Sequence, residues 1–317
     1  MMQALYWDGA RLRLQKRYAV PQVAKDSALV RVRFAGICST DLQILQGYMD
    51  FRGVPGHEFV GDVSEGPAEL LGKRVVGEIN FACGVCEACQ RGVGRHCPTR
   101  RVMGILNADG SFAEYLSVPT ANLHVVPDEV ADEEAVFTEP LAAAFEILEQ
   151  VHVQPASEVL VLGDGKLGLL CAQVLQRAGA RVTVVGKHEE KLALVRHSGA
   201  RTVLFSQWQP RQADMVVEAT GSTAGLAFAM ETVRPRGTLV LKSTVAQNHS
   251  LSLAPLVINE VTVIGSRCGV FPPALRALAQ RTIAVSPLIT KVFPLAEGVV
   301  AVREAARPGV LKVLLRM

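Results

Sequence analysis

Val159-Leu160-Val161-Leu162-Gly163-Asp164-Gly165-Lys166-Leu167-Gly168 is a short apolar run that breaks into G-x-G-x-x-G, and a helical pattern follows it to Ala178. A second apolar run, Val182-Thr183-Val184-Val185, comes next, so the glycines stand between a predicted strand and a predicted helix. In that setting Gly163, Gly165 and Gly168 allow a tight turn, close approach of a pyrophosphate and helix-on-strand packing, with Lys166 and Leu167 opening the helix at the phosphates. Met215-Val216-Val217-Glu218, Thr238-Leu239-Val240-Leu241 and Val261-Thr262-Val263-Ile264 continue the alternation of strands and helices. That rhythm predicts a doubly wound α/β domain over residues 139–265.

Outward from this block the texture changes. Residues 2–64 read as short alternating strands separated by Gly and Pro, and the tail from Ser266 to Met317 ends in a strand-like Leu311-Lys312-Val313-Leu314-Leu315. The expectation is a mainly β domain formed by 1–138 and 266–317. A chain of 317 residues exceeds the usual size of a single core, which agrees with two domains. The net charge of +3 creates no dominant field. Arg91, Arg95, Arg100 and Arg101 cluster without interleaved aromatics and read as a solvated face, not a nucleic-acid patch. No apolar run reaches the roughly 18 residues that span a bilayer, and no basic-then-apolar leader opens the chain, so neither nucleic acid nor membrane is an expected partner and a cytoplasmic location is expected.

Four of the seven cysteines lie at Cys83, Cys86, Cys89 and Cys97, within a lobe over residues 80–98. Three thiolates at successive i, i+3 spacing with a fourth brought back by a loop give tetrahedral sulfur coordination, the pattern of a closed structural zinc. A different donor set lies earlier. Cys38, His57 and Glu58 each sit at the edge of a strand-like run, and three protein ligands with one position left open are how a catalytic zinc is held. Thr138-Glu139-Pro140-Leu141 opens a helix at the seam between the two domains, adding a further carboxylate.

Taken together, Gly36-Ile37-Cys38-Ser39-Thr40-Asp41, Gly56-His57-Glu58, the four-cysteine lobe, Gly110-Ser111-Phe112-Ala113-Glu114-Tyr115, Glu139-Pro140-Leu141 and the glycine fingerprint resemble the zinc-containing medium-chain alcohol dehydrogenases. The likeness is nearest the polyol branch with its sorbitol and threonine dehydrogenases, and it covers nearly the whole chain. It implies a GroES-like catalytic domain beside a Rossmann domain, and reversible oxidation of a secondary alcohol or polyol by a nicotinamide cofactor. It implies catalytic zinc on Cys38 and His57 with Glu58, Glu139 or both completing the shell, Asp41 orienting His57, and Thr40 taking the alcohol proton. It also implies a homodimer or homotetramer paired through the last strand of the nucleotide sheet, here Val261–Ile264. A zinc-free quinone or enoyl reductase of the same fold, and a non-catalytic metal- and nucleotide-binding protein, are the alternatives.

Three departures from the family pattern carry information. Gln43 stands where many relatives place a proton-relaying histidine, and an amide cannot titrate near neutral pH, so proton release is expected to run from Thr40 through the ribose hydroxyls to solvent. Only 18 residues separate Cys38 from His57, which trims a loop near the substrate mouth. The position where an NAD enzyme carries an acid for the ribose is Gly186, followed by Lys187 and His188; this favours NADP, with NAD the alternative. Thr220, Gly221, Lys242 and Ser243 follow later strand ends and are further cofactor-binding candidates.

Overall fold

Alternation along Ser27–Ile37 buries Ala28, Val30 and Val32 and turns Arg31 and Arg33 to solvent, the pattern of a strand with one face on a core. In the computed structural model, which describes residues 1–209, 211–244 and 251–317, this strand is the hub of a seven-stranded sheet. Across the sheet run Leu123–Val125, Arg74–Gly77, Glu58–Glu65, Ser27–Ile37, Lys312–Arg316 and Ile289–Pro294, while Tyr115–Pro119 also pairs with Ser27–Ile37. Two pairings of the hub matter for chemistry: Gly36 faces Glu58 on one side, and Ile37 faces Val313 on the other. The last strand of the chain therefore lies beside the strand that leads to Cys38.

The second sheet has six strands, all parallel, in the order Arg201–Leu204, Arg181–Gly186, Glu158–Leu162, Ala213–Glu218, Val233–Leu241 and Thr262–Gly265. Numbered along the chain this is 3-2-1-4-5-6, the dinucleotide-binding order. Its strands are apolar on both faces, with Leu160, Leu162, Val185, Val216 and Leu239 in one core cluster that Trp208 and Phe228 extend. The fold class read from the sequence, a mainly β GroES-like domain and a doubly wound Rossmann domain, is the one observed.

The chain divides into two compact units, Met1–Glu139 with Phe271–Gln280 and Ile289–Met317, and Pro140–Val270 with Arg281–Leu288. The tail assigned whole to the first domain is therefore split. Gln173 explains how: its side chain donates to the Ala284 carbonyl at 3.1 Å and accepts from the Ala284 amide at 2.8 Å, clamping Arg281–Leu288 onto the second unit. Such a clamp leaves no periodic trace in sequence.

Candidate metal centres and nucleotide site

Cys38 immediately precedes the short helix Ser39–Ile44, and Asp41 in its first turn governs both neighbours. Asp41 Oδ2 accepts the Cys38 backbone N–H at 2.7 Å, which fixes where the helix begins and where the thiol stands. Its Oδ1 lies 3.2 Å from His57 Nδ1, an electrostatic contact, so Nε2 is the ring nitrogen that would serve an ion. Burial disfavours a charged His57, yet the Asp41 carboxylate and then the Cys38 sulfur hold its pKa well above the ordinary imidazole range. A metal ion must displace that proton to bind. Thr40 Oγ1 is 3.8 Å from Cys38 Sγ, so the predicted proton acceptor stands beside the predicted ligand. Gln43, half-buried, is on the same helix.

Glu58 opens its strand fully buried. Its Oε2 accepts from Lys312 Nζ, also fully buried, whose ammonium lies 5.4 Å from the centre of the Phe137 ring. Its Oε1 is buried and has no hydrogen-bond partner among the described residues. Cys38, His57 and Glu58 each bring a ligand atom to within 4.8 Å of the other two. A thiol, an imidazole and a carboxylate converging in this way, with one buried carboxylate oxygen unsatisfied, match the donor types and spacing of a zinc with an open position. The site fits that ion. Glu139, half-buried in the first turn of Thr138–Gln150, is not in this converging set.

Lys312 was not singled out from sequence, although a lysine inside the apolar run Leu311–Leu315 is a signal. Burying an ammonium requires a partner. That partner is 254 residues away and meets it only because the last strand inserts beside the hub. Gly36 has a matching explanation: a Cβ there would collide with Glu58 Oε2 and approach Val136 to 2.8 Å, so the residue facing the carboxylate must lack a side chain.

In the lobe, Cys83, Cys86, Cys89 and Cys97 bring four sulfurs within 4.8 Å of one another. Cys86 and Cys89 are 3.4 Å apart, and the Cys83 amide donates to Cys97 Sγ at 3.5 Å. The Thr99 hydroxyl, then the Cys83 amide, lower the Cys97 thiol to about 6, favouring the thiolate that a metal needs. His96, beside Cys97, is exposed and lies outside the four-sulfur set. The short Cys38-to-His57 connection runs through Met49, Asp50 and Phe51, which with Arg52 and residues 105–109 line a cleft of about 390 Å³. Met49, Asp50 and Asn107 in its wall all adopt positive φ, a costly conformation of the kind that gathers at functional loops.

At the carboxyl edge of the parallel sheet, Gly163 has φ of 113° and a Cβ there would come within 2.6 Å of the Ala219 carbonyl, so the fingerprint turn tolerates only glycine. The helix Lys166–Arg177 starts at Gly165, as predicted. Gly186 ends the second strand, with Lys187 exposed after it. Asp164, the variable residue between the first two glycines, was also passed over in sequence. Its Oδ2 accepts from the amides of Lys187 at 2.6 Å and His188 at 2.7 Å and lies 3.0 Å from His188 Nδ1.

Of the later candidates, Thr220 binds back to Glu218 Oε1 through its amide at 2.7 Å and its hydroxyl at 2.5 Å. Ser243 Oγ accepts the Gly221 amide at 2.8 Å. The buried ammonium of Lys242 donates to the Ala143 carbonyl at 2.6 Å and to Ser266 Oγ and the Arg267 carbonyl at 3.1 Å each, so it braces the fold of its own unit.

Residues 24–128 match the alcohol dehydrogenase GroES-like domain, and residues 167–282 match the zinc-binding dehydrogenase domain. D-altritol 5-dehydrogenase of Agrobacterium fabrum is 30% identical over 85% of this chain and 86% of its own length. A zinc-binding dehydrogenase of Sinorhizobium meliloti 1021, solved bound to NADP, superposes with a TM-score of 0.92 at 28% identity, covering 100% of this chain and 99% of that one. A short chain alcohol dehydrogenase of E. coli CFT073, complexed with NADH, gives 0.90 at 29% identity over the same shares.

Proposed function

The chain belongs to the zinc-containing medium-chain alcohol dehydrogenases, and from that footing we propose that it interconverts a secondary alcohol or polyol and its ketone, with Cys38, His57 and Glu58 holding the catalytic zinc. That it is a zinc-dependent, nicotinamide-linked oxidoreductase of alcohols follows from the family. The polyol preference draws on the relative that acts on D-altritol. The observation that carries the ligand assignment is the convergence of the three donors, together with a buried Glu58 Oε1 that no described residue satisfies. Two complete ligand clusters also speak against the zinc-free reductase reading.

When bound, zinc supplies a Lewis acid that lowers the pKa of an alcohol, as it lowers that of water to about 7. The rest is the work of this chain's side chains. Asp41 fixes the His57 ring, and Lys312 fixes Glu58 through Oε2, leaving Oε1 without a hydrogen-bond partner among the described residues. Thr40 takes the alcohol proton, and Gln43 orients water without storing a proton. Glu139 is the further carboxylate proposed for the shell. The glycine turn Gly163–Gly168 would hold the nicotinamide cofactor, which when bound would supply the hydride acceptor, and Cys83, Cys86, Cys89 and Cys97 would hold the structural zinc.

NADP over NAD is the proposed cofactor: Gly186 brings no acid and Lys187 offers an exposed ammonium to a 2′-phosphate. A reducing, cytoplasmic location suits seven cysteines that form no disulfide. A homodimer or homotetramer is proposed, joined at the Thr262–Gly265 edge. The test is metal analysis joined to turnover on an alcohol and ketone panel. Wild-type protein should carry about two zincs per chain. Cys38→Ser should lose one of them and all turnover while still binding the reduced cofactor, and retained turnover would remove zinc from the mechanism.

A further inference from the structure

Two turns face each other at the carboxyl edge of the parallel sheet, Gly163–Gly165 after the first strand and Gly186–His188 after the second. Asp164 fills the space between them and is 8% exposed. A Cβ built on Gly186 would lie 2.5 Å from Asp164 Cβ and 2.6 Å from its Oδ2. No side chain at 186 can coexist with Asp164, so the two positions act as a unit. The acid absent from the strand end is replaced by one reaching over from the facing loop.

What that acid holds is informative. Two successive backbone N–H groups and a ring nitrogen converging on one point form a small anion nest, here closed by Oδ2. The end of the second strand is also where a dinucleotide's adenosine ribose is bound and where a 2′-phosphate must be accommodated or refused. Those same donors are the ones a 2′-phosphate at this turn would use. We propose that Asp164 is a specificity-determining residue for the cofactor, an internal anion that competes with the 2′-phosphate for the Lys187–His188 turn.

The inference rests on the nucleotide reading of this sheet but not on which cofactor the wild-type chain prefers. The Lys187 ammonium pulls toward NADP; Asp164 opposes it by occupying donors and by like-charge repulsion. Removing one negative charge a few ångströms from a phosphate is worth at least about tenfold in relative affinity.

Asp164→Asn keeps the size and one acceptor oxygen but removes the charge, and Asp164→Ser serves as a smaller second variant should the first not fold. Calorimetry on the zinc-loaded protein would measure adenosine 2′,5′-bisphosphate against 5′-AMP, alongside kcat/KM for NADPH against NADH. Either variant should raise the preference for the bisphosphate about tenfold over wild type, with the NADPH-to-NADH ratio rising in parallel. Equal weakening of both adenosine ligands would reduce Asp164 to a brace of the turn and overturn the proposal. Selective weakening of the bisphosphate would overturn it too, by showing that Asp164 presents the turn to phosphate. A wild-type preference for NADH defeats the NADP reading alone, since the shift on substitution still decides this one. Failure of wild-type protein to bind either adenosine ligand overturns both.

Discussion

Lys312 and Glu58 are each fully buried, and the pair they form decides what the carboxylate next to His57 can do. One oxygen is tied to the ammonium and the other has no hydrogen-bond partner among the described residues, while the carboxylate converges with a thiol and an imidazole. Breaking such a pair from one side strands a buried charge, which costs about 3–5 kcal/mol, whereas removing both charges together costs much less. Lys312→Met should therefore lower unfolding free energy by about that amount and weaken zinc retention, measured by urea denaturation and metal content. Adding Glu58→Gln should recover much of the stability but not the zinc. Equal stability loss in the single and double variants would show that the pair is not what Lys312 contributes. At this scale the sequence displayed one half of the centre. Cys38, His57 and Glu58 were legible because their donor types stand near strand ends, whereas Thr40 and Asp41 were marked only by the family resemblance. Lys312 and Asp164 were not, because each takes its meaning from a partner that only the folded sheets bring opposite.

Between elements, charged residues at register positions tie the metal-side sheet to the short helix Asp132–Ala135. Arg33 on the hub strand donates to Asp62 at 2.8 Å and to Asp132 at 2.9 Å, while Arg74 donates to the other oxygen of Asp132 at 2.8 Å and to the Pro127 carbonyl at 2.7 Å. Burial disfavours the charged carboxyl of Asp132, but Arg33 and Arg74 prevail and hold its pKa below the ordinary value of 3.8. A carboxyl depressed in the folded state binds protons more readily unfolded, so its stabilisation is present above 3.8 and is lost as pH falls through the folded value. Asp132→Asn should cost about 1 kcal/mol at pH 7, a figure discounted for solvent at these partly exposed groups. The gap from wild type should close in acid below that value, as read from denaturation curves at several pH values. A gap constant across the range would place the effect in packing. The strands themselves were legible from alternation, and Arg33 was visible as an outward residue. Its partners lie on two other segments, and period-2 patterning says which face a residue takes but not what stands opposite.

For the whole molecule, the outer side of the parallel sheet is the exposed feature with the clearest consequence. Thr262–Gly265 is hydrogen-bonded to Val233–Leu241 on one flank, and among the described residues no strand pairs with its other flank. Unpaired N–H and C=O groups along an edge invite another strand. Beside this edge Val263 is 42% exposed, and Val257 and Ile258, in the preceding helix Ala254–Ile258, are 77% and 78% exposed. Apolar side chains left in water beside an open edge mark an association surface, and a two-fold axis would satisfy the edge and cover the apolar residues with the same patch of a second copy. The strand was legible as Val261–Ile264 and the family resemblance implied pairing through it, but the apolar run alone did not show an open edge, since it reads alike whether a sheet or a second subunit covers it. Mass measurement in native buffer should therefore give a dimer or a multiple of it. Val263→Lys with Ile258→Asp, which place charge in the patch and on the edge, should shift the population to monomer at micromolar concentration while leaving the zinc content of each chain unchanged. A wild-type mass of one chain, or a double variant that assembles as the wild type does, would show that this edge is not the contact.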